Sequence, residues 1–145
     1  MRHIESMTQC RCVRWFRLQY PAIGNLLFAV PNGGRRGKVE ACILKAEGVV
    51  AGVADMLLLV PSGGWHGLAI EMKTETGRQS PSQREWQQLV EKVGYRYVVC
   101  RTIDEFINEV NKYLSNGKGE NLSGVNQLNS LAQAQNIKAG RATIV

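Results

Sequence analysis

The stretch that decides the fold is Gly52-Val53-Ala54-Asp55-Met56-Leu57-Leu58-Leu59-Val60, followed after Pro61-Ser62-Gly63-Gly64-Trp65-His66-Gly67 by Leu68-Ala69-Ile70-Glu71-Met72-Lys73. Two apolar runs flank a bend rich in Gly and Pro. This predicts an antiparallel hairpin of strands Ala54–Val60 and Leu68–Lys73. Residues two apart in a strand point the same way, so Glu71 and Lys73 share a face. A hairpin centred near Gly63 sets Asp55 across from Glu71. Like charges directly opposite in a sheet are destabilising, and something must compensate. A divalent cation held by both carboxylates does so, with the Met72 carbonyl as a third oxygen. Mg²⁺ suits this arrangement, because it takes one or two carboxylates together with waters and phosphate oxygens. Lys73 then sits where an ammonium can orient a water and stabilise developing negative charge. The plainer reading is an exposed Glu71–Lys73 ion pair, worth about 0.2–1 kcal/mol. Asp55 across the hairpin weighs against it.

Working outward, Met7, Cys10, Val13, Phe16 and Tyr20 recur at spacings of three and four, which predicts a helix over 6–20. Ser6 and Gln9 have capping-box spacing at its start, and Pro21 ends it. Leu26–Val30 reads as a short buried strand, and Val39–Glu47 as a short helix stopped by Gly48. Beyond the hairpin, Ser80-Pro81-Ser82-Gln83 carries an N-cap Ser, a Pro at the first helical position and a Gln at the third. That helix runs to Val93 and stops at Gly94. Tyr95–Cys100 is a further strand. Thr102 to Glu105 is a second capping box, opening a helix with Ile103, Phe106, Ile107, Val110 and Leu114 on one face. The expected architecture is an α/β sandwich on a small mixed sheet. Residues 115–145 turn rich in Asn, Gly, Ser, Gln and Ala. They read as a flexible polar tail, with a weak helix near Leu128–Gln135, behind a domain spanning 1–114.

The chain has 145 residues, 44% of them hydrophobic and 21% charged, which is ordinary globular usage. The longest apolar stretch, Val49 to Val60, is twelve residues and contains Asp55, too short and too polar to span a bilayer. Arginines occupy the N-terminus where a signal peptide needs an apolar block, so the expectation is a soluble cytoplasmic protein. Cys10, Cys12, Cys42 and Cys100 form no Cys-x-x-Cys pair, and His3 and His66 are the two histidines. Free thiols fit better than a zinc site.

The net charge of +6 is unevenly spread. Residues 1–45 carry eight basic and two acidic residues, net +6, whereas residues 46–114 carry seven and nine, net −2. One surface for an anionic polymer and one place where carboxylates gather follow from that division. Asn32 to Lys38 is not a nucleotide-binding P-loop, because Asn32 and Val39 stand where the motif needs Gly and Ser or Thr. Arg35, Arg36 and Lys38 read instead as non-specific phosphate contacts, or as a solvated loop, and Arg78 as a phosphate clamp near the acidic strand.

The residues Gln9, Pro31-Asn32-Gly33-Gly34, Leu44 to Val49, Gly52-Val53-Ala54-Asp55, Glu71-Met72-Lys73 and Gly77 to Gln83 together resemble the VRR-NUC (virus-type replication–repair nuclease) domain of the PD-(D/E)XK nuclease superfamily. The likeness covers residues 3–114. It implies a restriction-endonuclease-like three-layer sandwich with an αβββαβ core. It implies Asp55 and Glu71 as metal ligands, Lys73 as the catalytic lysine, Glu5 as a further acidic ligand and Gln83 near the active site. Glu5 also fits a plain first-turn acid, and Gln83 a plain capping-box partner. Ala54 departs from the family pattern, which has Pro before the aspartate, but the proline supplies no ligand. The implied activity is hydrolysis of DNA phosphodiesters with Mg²⁺ or Mn²⁺ and no nucleotide cofactor, leaving a 5′-phosphate and a 3′-hydroxyl. Lone domains of this size resemble homodimeric endonucleases that resolve four-way (Holliday) junctions. A flap- or end-directed replication–repair or phage nuclease, and a non-catalytic nucleic-acid-binding module, are the alternatives. The intact Asp55, Glu71 and Lys73 set argues against the last.

Overall fold

The computed structural model describes residues 2–31, 37–116, 130–131 and 134–135. Helix α1 (Arg2–Gln19) begins before the predicted start, so Ser6 and Gln9 lie inside it and form no N-cap. It buries Cys12 and Phe16. Pro21 breaks it into a 3₁₀ turn over Pro21–Leu26, absent from the sequence reading and anchored by buried Ile23. Strand β1 (Leu27–Ala29) follows. Helix α2 (Lys38–Ala46) buries none of its residues and ends where Gly48 takes φ +97°, the left-handed conformation glycine adopts without penalty.

Strands β2 (Met56–Leu58) and β3 (Leu68–Met72) form the predicted hairpin. Met56 pairs with Ile70, Leu57 with Ala69 and Leu58 with Leu68, a register centred on position 63. β2 is shorter than the predicted Ala54–Val60. At its start Asp55 turns its carboxylate onto the Met72 N–H at 2.7 Å. Helix α3 (Pro81–Lys92) carries the predicted capping box, with the Ser80 side chain accepting from the Gln83 N–H and the Gln83 side chain accepting from the Ser80 N–H. Strand β4 (Arg96–Cys100) then pairs parallel to β3, and α4 (Ile103–Ser115) closes the fold.

The sheet order is β1-β2-β3-β4, with antiparallel pairs except β3–β4. On one face Leu27, Leu58, Leu68, Ile70, Met72 and Cys100 pack with Phe16 of α1 and with Phe106, Val110 and Tyr113 of α4. The other face, beneath α3, is thinner, with Ala54, Ala69 and Tyr97 against Trp86 and Val90. This is a restriction-endonuclease-like α/β sandwich. Two hydrogen bonds tie the end of α4 to the hairpin. The Tyr113 hydroxyl donates to the Val60 carbonyl at 2.6 Å, and Ser62 Oγ donates to the Tyr113 carbonyl at 2.5 Å. Among the described residues no helix is long and apolar enough to cross a membrane. The predicted tail helix falls mostly outside the described residues, and Ser130, Leu131, Ala134 and Gln135 are helical.

Candidate active site

Alternation along β3 sends Ile70 and Met72 into the main core and turns Glu71 to the α3 face. The β2–β3 register, extended by one residue, places Asp55 opposite Glu71. Both border a cavity of about 870 Å³ lined also by Glu5, Gln9, Arg14, Arg17, Met72, Lys73, Ser80, Ser82 and Gln83. The cavity lies between α1, the end of β3 and the first turn of α3.

Glu71 is fully buried, and its Oε1 accepts from Lys73 Nζ and from Gln83 Nε2, each at 2.5 Å. The Tyr97 hydroxyl approaches Oε2 at 3.4 Å, and Gln79 Nε2 lies 3.3 Å from that hydroxyl. Burial pushes the Glu71 carboxyl above its usual range; the Lys73 hydrogen bond opposes this and the nearby Asp55 charge adds to it. Asp55 is also raised, first by burial, against the lowering effects of the Met72 N–H and Lys73, while Glu5 raises it further. Tyr97 is pushed up by burial and by the Glu71 charge. The side chain of Lys73 is 13% exposed, so its ammonium reaches the cavity while pairing with Glu71.

The donor set fits a hard divalent cation. Two carboxylates, both raised first by burial, share one ammonium as their close counter-charge. The N–H and C=O of one strand residue point to the same edge, so the Met72 carbonyl faces the Asp55 side, as its N–H does. Among the described residues no group of three or more His, Cys, Asp or Glu side chains gathers. A cation here would take Asp55, Glu71 and the Met72 carbonyl and complete its shell with water or phosphate, the Mg²⁺ habit. Glu5 lines the cavity, but its Oε1 accepts from the Thr74 N–H at 2.9 Å, anchoring the chain just past Lys73.

Glycine decides how closely the two halves of the site approach. Gly52 has φ +84°, and a Cβ there would lie 2.4 Å from the Ser82 carbonyl. The segment leading into Asp55 therefore packs directly on the first turn of α3, which carries Gln83. On the far side of Lys73, Arg101 holds the loop in shape, its guanidinium donating to the carbonyls of Thr74 at 2.5 Å and Gly77 at 2.8 Å.

The sequence-predicted Asp55, Glu71, Met72, Lys73, Gln83 and Glu5 are thus all brought to one cavity. Of the predicted phosphate contacts, the two that are described are not. Arg35 and Arg36 lie outside the described residues, Lys38 is exposed at the start of α2, and Arg78 is exposed in the loop between β3 and α3. Neither Lys38 nor Arg78 lines the cavity. Sequence reasoning missed Tyr97, Arg101, Arg14 and Arg17 at the site. The alternation of β4 was a signal for Tyr97, and the helical spacing of Arg14 and Arg17 was one for that pair.

Opposed carboxylates and a lysine at the end of a small mixed sheet, flanked by helices on both faces, define a nuclease-type α/β domain. The VRR-NUC domain family model matches residues 2–103, and the chain belongs to that family. A solved structure described as a VRR_NUC domain protein superposes with a TM-score of 0.69 at 28% identity, covering 78% of this chain and 89% of the other. No curated protein matches.

Proposed function

We propose that this domain is a Mg²⁺- or Mn²⁺-dependent endonuclease that hydrolyses DNA phosphodiesters and, as a homodimer, nicks four-way junctions. The observation that supports it is the Asp55–Glu71 pair with Lys73 on Glu71, set in an open cavity of about 870 Å³. The Met72 N–H fixes Asp55, and Gln83 fixes Glu71, so both oxygen ligands are held before substrate arrives. Bound between them, the cation would polarise the scissile phosphate and lower the pKa of an attacking water. Lys73 holds its charge beside the same point and orients the nucleophile or meets the negative charge that grows on the phosphoryl oxygens. A C₂ dimer presents two such sites, which suits the two symmetric nicks a two-fold junction needs.

The test is cleavage of an end-labelled four-way junction, flap, duplex and single strand by wild type and Lys73→Ala, with Mg²⁺ or Mn²⁺. Paired symmetric nicks in the junction, absent in the variant, are expected. Cutting of flaps or ends alone replaces the junction reading with a replication–repair nuclease. Metal-independent binding without cutting of any substrate leaves a nucleic-acid-binding module.

A further inference from the structure

We infer that Arg14 and Arg17 form an anion-binding subsite of the same cavity, one that takes backbone phosphates of the bound strand several steps away from the scissile bond. The inference rests on the nuclease reading for its substrate and on separate residues for its evidence. One wall of the cavity is a single face of α1, with Glu5 near the catalytic strand and Arg14 and Arg17 further along. At 1.5 Å per residue the two arginines lie about 13 and 18 Å along the axis from Glu5. A duplex laid along α1 presents a phosphate on each strand every ~3.4 Å of axis, so in that orientation the pair reaches roughly the fourth or fifth phosphate. On that spacing they are placed to hold the strand that leads to the scissile group.

Among the described residues, three arginines that do not line the cavity are engaged by the fold. Arg84 donates to the Gln79 carbonyl, Arg96 pairs with Glu109, and Arg101 holds the loop after Lys73. Among the described residues the ion pairs are Lys73–Glu71 and Arg96–Glu109, so neither Arg14 nor Arg17 has a carboxylate partner. Arg17 is also pre-set. Its stem lies over buried Gly24, where a Cβ would come 3.2 Å from Arg17 Cγ. A side chain already laid down loses less freedom when a phosphate arrives. Two arginines at i, i+3 sit side by side on the helix surface and present forks suited to phosphate oxygens.

The experiment measures anisotropy of a labelled DNA strand in EDTA, so that binding is read without cleavage. It compares wild type, Arg14→Ala/Arg17→Ala, Arg14→Lys/Arg17→Lys, and Arg11→Ala, whose residue lies on α1 outside the cavity wall. The double alanine variant is expected to weaken binding about tenfold and to flatten the log–log salt dependence by about 1.4–1.8, two phosphate contacts' worth. The lysine pair is expected to restore most of that slope, and Arg11→Ala to leave it unchanged. With cation added, the alanine pair should raise KM and hold kcat. Methylphosphonates replacing the distant phosphates should weaken wild type and leave the alanine pair unaffected. Wild-type affinity and slope in the alanine pair, or an equal loss in Arg11→Ala, overturns the subsite while leaving the nuclease reading intact. Arginine-dependent binding with no cleavage overturns the nuclease reading and keeps the subsite. Failure of the wild type to bind nucleic acid overturns both.

Discussion

The side-chain amide of Gln83 joins the first turn of α3 to the buried Glu71 carboxylate: its Nε2 donates to Glu71 Oε1 at 2.5 Å while its Oε1 accepts from the Ser80 N–H at 2.8 Å. The cap and the approach to Glu71, which competed as readings of this residue in the sequence, are made by one side chain. A helix N-cap orients a group that orients a carboxylate.

The two roles separate by mutation. Ser80→Ala removes the cap and a contact with Ser82 Oγ but leaves the Gln83–Glu71 bond, and is expected to cost about 0.5–2 kcal/mol of stability with activity retained. Gln83→Ala removes the cap partner and the Glu71 contact together, and cleavage is expected to fall about 10–100-fold. Gln83→Glu keeps an acceptor for the Ser80 N–H but sets a carboxylate against Glu71, and cleavage is expected to fall at least as far. Urea unfolding beside single-turnover cleavage checks all three. Equal activity in Ser80→Ala and Gln83→Ala would make Gln83 a cap only.

The raised carboxyls of Asp55 and Glu71 fix the sign of a pH effect. A carboxyl raised in the folded state binds more protons there than in the unfolded chain. The metal-free protein therefore gains stability from these groups as pH falls through the raised values, and loses it as pH climbs from the ordinary carboxylate values through them. Asp55→Asn is expected to flatten this part of the profile and to raise the metal-free Tm near neutrality. A steeper decline of Tm with pH in Asp55→Asn than in wild type would contradict it.

Divalent cation should act on the same two groups from the other direction. Mg²⁺ or Mn²⁺ at about a hundred times its Kd should stabilise wild type by about 2.7 kcal/mol, because it binds the folded chain alone. Asp55→Asn and Glu71→Gln should lose that shift, and EDTA should reverse it in wild type. Thermal unfolding against cation concentration measures it without any cleavage assay.

Gly52→Ala is expected to disturb site and fold together. The new methyl would lie 2.4 Å from the Ser82 carbonyl at a backbone φ of +84°, so either the Asp55 segment or α3 must move. Strain of this kind costs on the order of 1–3 kcal/mol. The displaced Asp55 and Gln83 should cut activity more than that stability loss explains at a temperature where the variant is folded.

Tyr113→Phe provides the contrast. It leaves the buried Val60 carbonyl without its 2.6 Å hydroxyl donor and should cost about 1–3 kcal/mol. The change lies away from the cavity, so kcat of the folded protein should stay at the wild-type value.

The local features were legible in the sequence because their causes are local. The Gly-rich bend between two apolar runs led to a hairpin centred on position 63, and strand alternation then placed Asp55, Glu71 and Lys73 together. The caps of α3 and α4 followed from side chains that reach only three residues along the chain. The 3₁₀ turn at Pro21–Leu26 and the early start of α1 escaped, because packing of Ile23, Cys12 and Phe16 decided them rather than caps. Tertiary structure alone brought in β4, whose parallel register sets Tyr97 beside Glu71, since no short turn constrains a parallel partner. It alone laid α1 along the cavity, turning Arg14 and Arg17 into a wall of the site. Turn sterics and side-chain alternation act over a few residues and are written in the sequence. Which helix covers which sheet edge depends on apolar surface collected from the whole chain, and it is settled only when that surface is buried.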